Sequence, residues 1–262
     1  MKKALTIAGS DSCGGAGIQA DIKTFSALGV YGMSVITSVT AQNTQGVFAV
    51  EDMSMEIIGK QIDAIFDDII VDGVKIGMVS KTDTIKVIAE KLKKYSAKNI
   101  VLDPVMISKS GFDLLKSEAK DTLINELLPL ATIVTPNIPE AEVISGEDIK
   151  TIGDMESVSK SISKMGPRYV LLKGGHLDGD AIDVLYDGEN IHHFNSKRIA
   201  TKNTHGTGCT LSSAITSYLA KGYSIKDAIK NAKDYITNAI KYSLDIGKGV
   251  GPTNHFFKTE NR

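Results

Sequence analysis

Along nearly the whole chain, short apolar runs that stop at glycine or proline alternate with segments of helical spacing. Residues 4–8, 31–41, 73–78, 100–102, 131–135 and 170–172 have the β-branched, apolar character of buried strands. Between them lie helical patterns. Ile18, Ile22, Phe25 and Leu28 share one face, as do Ile57, Ile58, Ile62 and Ile65, then residues 85–92, then Leu123, Leu127 and Leu128 up to Pro129. Strand–helix alternation predicts a three-layer α/β/α fold with a mostly parallel central sheet and right-handed crossovers. Residues 182–186 and 191–194, separated by Asp187-Gly188-Glu189-Asn190, read as an antiparallel hairpin at the sheet edge. Residues 44–56 fit a small strand or a lid. A final helix is expected over residues 225–244. No linker, repeat or low-complexity block interrupts the pattern, so residues 1–262 are expected to form a single domain.

Composition narrows the classes of function. The formal net charge is −1, which gives no electrostatic case for binding nucleic acid or an anionic membrane. No run approaches the ~20 apolar residues of a membrane span. The two cysteines, Cys13 and Cys209, are far apart and in no metal-ligand spacing, which points to a reducing, cytoplasmic setting without disulfides.

One stretch carries most of the chemistry. Asn203-Thr204-His205-Gly206-Thr207-Gly208-Cys209-Thr210 precedes Leu211, Ala214, Ile215, Tyr218 and Leu219 at helical spacing. A glycine loop that opens into a helix turns backbone N–H groups toward one point, and the helix dipole adds positive character. That is a site for phosphate or for a transition state gathering negative charge. A second glycine loop, Gly14-Gly15-Ala16-Gly17, follows the first strand but lacks the spacing of a dinucleotide fingerprint.

In open α/β sheets ligands bind beyond the carboxyl ends of the strands. Gly9, Asp11, Gln42, Met78, Asp103, Asn137, Glu140, Lys173 and the 206–209 loop all fall there. Each has an ordinary alternative: Asn137 and Glu140 have the spacing of a helix capping box, and Asp21 reads as a dipole-favoured acid in a first turn. His176 and His205 read as loop histidines. Taken together, one lysine, several oxygen ligands and an amide-lined hole are the components of phosphoryl transfer.

These residues resemble the hydroxymethylpyrimidine and phosphomethylpyrimidine kinases of thiamin synthesis. The resemblance lies in Gly9-Ser10-Asp11-x-x-Gly14-Gly15-Ala16-Gly17-Ile18-Gln19-Ala20-Asp21, Ala41-Gln42-Asn43-Thr44, Lys75-Ile76-Gly77-Met78, Asp103-Pro104-Val105-Met106, Thr135-Pro136-Asn137-x-Pro139-Glu140-Ala141, Lys173-Gly174-Gly175-His176 and the 203–210 stretch. It implies a ribokinase-like fold, a homodimer, and ATP with Mg²⁺. It implies a pyrimidine over Gly9, Asp21, Thr40, Gln42, Met78 and Val105. It puts ATP near Asp103, Asn137, Glu140, Lys173, Thr207 and Gly208, the metal at Asp103 and Glu140, and the transfer at Lys173, Gly206, Gly208 and Cys209. The implied reaction is phosphorylation of 4-amino-5-hydroxymethyl-2-methylpyrimidine to its monophosphate and then its diphosphate. The alternative is a cysteine-type pyridoxal kinase, which shares the phosphate motifs and differs in the substrate pocket, where Gln42 favours the pyrimidine. At Cys209 the helix terminus is expected to lower the thiol pKa, so that a thiolate could take the hydroxyl proton; lining of the anion hole ranks ahead of that general-base role.

Overall fold

The computed structural model describes residues 1–106, 115, 117–177 and 179–260. Among them are β1 (Lys3–Asp11), β2 (Tyr31–Asn43), β3 (Gly46–Asp52), β4 (Gly73–Ile76), β5 (Ile100–Leu102), β6 (Ile133–Val134), β7 (Tyr169–Leu172), β8 (Ala181–Tyr186) and β9 (Ile191–Ser196). They form one sheet in the order β3-β2-β1-β4-β5-β6-β7-β8-β9. From β2 to β7 every neighbouring pair is parallel. The β8–β9 hairpin extends one edge antiparallel, as its turn sequence predicts. At the other edge β3 folds back antiparallel on β2, so the 44–56 segment contributes a strand.

The helices are α1 (Gly17–Ala27), α2 (Met55–Phe66), α3 (Thr82–Lys94), α4 (Lys120–Thr122), α5 (Ile138–Ser145), α6 (Ile152–Ser163), α7 (Thr207–Ala220), α8 (Ile225–Lys241) and α9 (Phe257–Glu260). Strand residues alternate between the two faces they cover. Ile100, Leu102, Val134, Val170 and Leu172 join a core with α2, α3, α5 and α6. Val101, Ile133 and Leu171 point the other way, toward α7 and α8. This gives the expected three layers. No helix of the described residues is long and apolar enough to cross a membrane.

The helix expected around Leu123 is irregular. After the single turn of α4, residues Leu123–Leu127 form a π-helical turn and Leu128–Leu130 a 3₁₀ turn. Pro129 has no N–H to donate, so a regular ladder cannot run through it. The apolar spacing still buries Leu123, Leu127 and Leu128.

Because β1, β2 and β4–β7 are parallel, their carboxyl ends meet at one edge of the sheet. The strand order also reverses direction at β1: β2 lies to one side of it and β4 to the other. Such a switch point opens a crevice between the connections.

Candidate active site

A cavity of about 600 Å³ occupies this edge. Sheet order arranges its wall. Thr40 and Gln42 come from β2, Gly9 from β1, Met78 and Val105 follow β4 and β5, and Asp103, Asn137, Glu140 and Lys173 follow β5, β6 and β7. Gly206, Thr207, Gly208 and Cys209 close it from the start of α7.

Helix α7 begins where the sequence suggests. Gly206 caps it in the left-handed region, with φ 78°. A Cβ there would also collide with the Gly15 carbonyl oxygen, so glycine is required twice over. The Thr207 side chain donates to Thr204 O at 2.8 Å, and the Thr210 N–H closes the first turn on Gly206 O at 2.9 Å. The Gly208 and Cys209 N–H groups belong to the turn that has no intrahelical acceptor. Gly208 lies against the wall that carries Lys173 and Asp103: a Cβ on it would stand 3.4 Å from Asp103 Oδ2 and 3.7 Å from Lys173 Nζ.

Opposite this amide hole stands a charge cluster. Lys173 Nζ donates to Asp103 Oδ1 at 3.0 Å and lies 3.9 Å from Glu140 Oε2. Asp103 also accepts from Thr135 Oγ1 and Ser212 Oγ. The capping-box reading of Asn137 and Glu140 holds, and the box sits at the cavity. They form a reciprocal capping box on α5, with Glu140 N to Asn137 Oδ1 at 2.9 Å and Asn137 N to Glu140 Oε2 at 2.8 Å, and both line the cavity. Burial pushes the Glu140 carboxyl up to about 7, with Lys173 opposing and Asp103 adding to the rise. Lys173 is held above its ordinary value: burial lowers it, but Asp103 and Glu140 outweigh burial. Two buried carboxyls thus share one lysine. A surplus of negative charge on oxygen ligands suits a hard divalent cation, so Mg²⁺ fits this donor set.

Asp21 is not on the cavity wall. It lies a turn inside α1, which has no acid in its first turn, and it is fully buried. It accepts from Thr6 Oγ1 at 2.6 Å, Lys75 Nζ at 2.8 Å and Ser213 Oγ at 2.7 Å. Three donors and zero exposure leave it no oxygen for a ligand, so the expected contact with a ring is replaced by a tie between β1, β4, α1 and α7. In the sequence, Lys75 stands out only as part of its motif. A charged residue between Val74 and Ile76 in a buried strand was the available signal, since buried lysines require a partner.

At Cys209 the expected lowering of the thiol pKa by the helix terminus is overturned. Burial pushes it up to about 11; Lys75 opposes that, while Asp21 and Asp103 add to it. Desolvation acts on the whole thiolate charge, whereas the helix end offers about half a charge.

His205 is more than a loop histidine. It is buried, its Nε2 lies 2.8 Å from Asp11 Oδ2, and it borders the cavity beside Gln42. His176 also reaches the wall.

Comparison with known proteins gives one consistent result. The sequence matches the family described as phosphomethylpyrimidine kinase over residues 11–254. It is 52% identical to the hydroxymethylpyrimidine/phosphomethylpyrimidine kinase of Rhizobium meliloti, covering 97% of each chain. It is 50% identical to the thiamine biosynthesis bifunctional protein ThiED of Geobacter sulfurreducens, matching 98% of this chain and about half, 53%, of that longer protein. Among solved structures, the phosphomethylpyrimidine kinase of Clostridium difficile 630 is 58% identical, with a TM-score of 0.83 over 92% of this chain and all of that one. The pyridoxal kinase of Bacillus subtilis, solved as an ADP complex, is 45% identical with a TM-score of 0.92 over 99% of both chains. The fold is ribokinase-like, and the chain belongs to the phosphomethylpyrimidine kinase family.

Proposed function

We propose that the protein transfers the γ-phosphoryl group of ATP to 4-amino-5-hydroxymethyl-2-methylpyrimidine, and then to the resulting monophosphate, in the thiamin pathway. The supporting observation is the layout of the cavity: the Gln42 amide with the apolar residues Met78 and Val105 toward the β2 side, and a cation–carboxylate cluster beyond an amide-lined loop toward β7. The first part suits a flat amino-heterocycle. The second suits a triphosphate.

In this reading the ring lies against Gly9, Thr40, Met78 and Val105 and pairs with Gln42. Asp21 supports that floor from beneath without touching the ring. Lys173 neutralises charge on the transferring group. Gly208 and Cys209 direct N–H groups at it, and Gly206 and Thr207 hold the turn that aims them. Asp103 and Glu140 would hold Mg²⁺, with Asn137 fixing Glu140; the metal would neutralise phosphate oxygens. A loose phosphoryl-transfer transition state asks little of a general base. With its proton held to about 11, Cys209 lines the hole. The enzyme is proposed to work as a single-domain chain, as a homodimer, in the cytoplasm.

The test is ADP release measured in parallel with the pyrimidine alcohol, its monophosphate and pyridoxal. Both pyrimidines should be consumed. A preference for pyridoxal, the substrate named for the similar Bacillus subtilis enzyme, would overturn the assignment. For Cys209→Ala we expect kcat within about tenfold of the unaltered enzyme, since only hole shape is lost. A fall of ~10³ or more would instead restore a proton-accepting role.

A further inference from the structure

Asp11 and His205 join two loops 194 residues apart at the edge of the ring pocket. Asp11 Oδ1 accepts from Cys13 N at 2.8 Å, and Oδ2 accepts from Gly15 N at 3.1 Å, Ala16 N at 2.8 Å and the His205 ring at 2.8 Å. Burial pushes the Asp11 carboxyl up, but His205 and these N–H groups outweigh it and leave it below its ordinary value. Asp11 is therefore an anion, and both oxygens are spent on N–H donors, which favours a hydrogen-bonding role over metal ligation. An anion at 2.8 Å requires a hydrogen on His205 Nε2, whether or not Nδ1 also carries one.

Counting hydrogens then determines a neighbour. Gln42 Nε2 lies 3.4 Å from His205 Nε2, and Gln42 Oε1 lies 3.0 Å from Thr40 Oγ1. The Thr40 hydroxyl also donates to Ser10 O at 3.1 Å. With this amide orientation the NH₂ meets a nitrogen that is itself a donor. The single hydroxyl hydrogen of Thr40 must also serve two acceptors. Turning the amide by about 180° removes the donor–donor clash and frees the Thr40 hydrogen for Ser10 O. His205 Nε2–H keeps Asp11 Oδ2 as its main acceptor at 2.8 Å and Gln42 Oε1, at 3.4 Å, takes the weaker branch of a three-centre bond, while Gln42 Nε2 donates to Thr40 Oγ1 and Thr40 donates to Ser10 O.

We infer that Asp11 and His205 are positioning residues that fix the Gln42 amide with its oxygen on the His205 side and its nitrogen on the Thr40 side. Resting on the substrate reading above, the fixed amide presents an acceptor beside a donor to the cavity. An aminopyrimidine edge, with an exocyclic amine next to a ring nitrogen, complements it in one orientation only. That orientation puts the amine on the His205 side. In pyridoxal the ring nitrogen and hydroxyl are separated by a methyl-bearing carbon and cannot engage both groups. The dyad thereby selects for the amine. His205 is itself held firmly in place. Its backbone N–H donates to Gly251 O at 3.0 Å, and its ring packs so closely on Gly15 that a Cβ there would overlap it.

Two measurements test this. Nitrogen-15 NMR of the histidine-labelled, full-length protein should show His205 Nε2 protonated; an unprotonated Nε2 overturns the inference, whatever the substrate is. The second compares kcat/KM for the pyrimidine alcohol with that for its analogue lacking the 4-amino group. His205→Leu should lower this selectivity ratio by about tenfold or more through KM. His205→Leu combined with Gln42→Leu should be no less selective than Gln42→Leu alone. Equal losses on both alcohols, or additive losses in the double variant, would remove the dyad from amine selection. Failure of the unaltered enzyme to use the pyrimidine at all would overturn the substrate reading and with it amine selection, while the NMR result still judges the amide orientation.

Discussion

Lys173→Met is expected to lower kcat/KM for ATP by about a thousandfold, the range seen when a cationic clamp on a transferring phosphoryl group is lost. Stability should fall as well, by about 3 kcal/mol, because the change leaves Asp103 and Glu140 buried without their cation. Coupled ADP release and thermal melting measure the two effects separately. A variant with kcat/KM within about tenfold of the original would mean that Lys173 does not reach the phosphoryl group.

Glu140→Gln is expected to move the two properties in opposite directions. The carboxyl titrates near 7 in the folded chain and near 4.5 in the unfolded one. Between these values the folded state holds a proton that the unfolded state has released, so stability declines as pH rises through the window. Below 4.5 there is no penalty, and above 7 it is complete. At about 1.4 kcal/mol per pH unit the full effect is about 3 kcal/mol. Glutamine resembles the protonated acid, and its oxygen can still accept from Asn137 N–H, so the helix cap survives. The variant should therefore melt about 6–12 °C higher at pH 8 and converge with the original protein near pH 4.5. If Glu140 holds the cation as proposed, ATP use should drop by about a hundredfold. Melting curves that run parallel across pH would show that Glu140 is charged at no cost to the fold.

Such a trade marks a residue kept for chemistry against the interest of stability. It also bears on what the sequence could reveal. The capping-box spacing of Asn137 and Glu140 was legible, and so was their place at a strand's carboxyl end. The joint burial of Asp103 and Glu140 beside a single lysine depended on three strand ends meeting. Periodicity revealed the layers, and Asp187-Gly188-Glu189-Asn190 revealed the edge hairpin, because both are local signals. Asp21 was misread because a carboxylate near a helix start looks the same in sequence whether it faces a ligand or Lys75 across the sheet. The Cys209 thiol was misjudged because helix position is visible in sequence and desolvation is not. His205 gave no signal, since its partner Asp11 lies at the other end of the chain.

Residues 249–251 brace the end of β2 and the segment ahead of α7. Gly249 N–H donates to Thr44 Oγ1 at 3.1 Å, Val250 N–H to Thr44 O at 2.8 Å, and Gly251 N–H to Asn203 Oδ1 at 3.1 Å. On the ribosome, the sheet from β1 to β7 can pair long before these residues emerge. The Thr44 edge of the cavity and the Asn203 segment ahead of the phosphate loop gain these bonds only once residues 249–251 have been synthesised. A nascent chain stalled before residue 249 would thus carry the paired strands of the sheet without the bonds that tie the Thr44 edge of the pocket to the segment entering the phosphate loop.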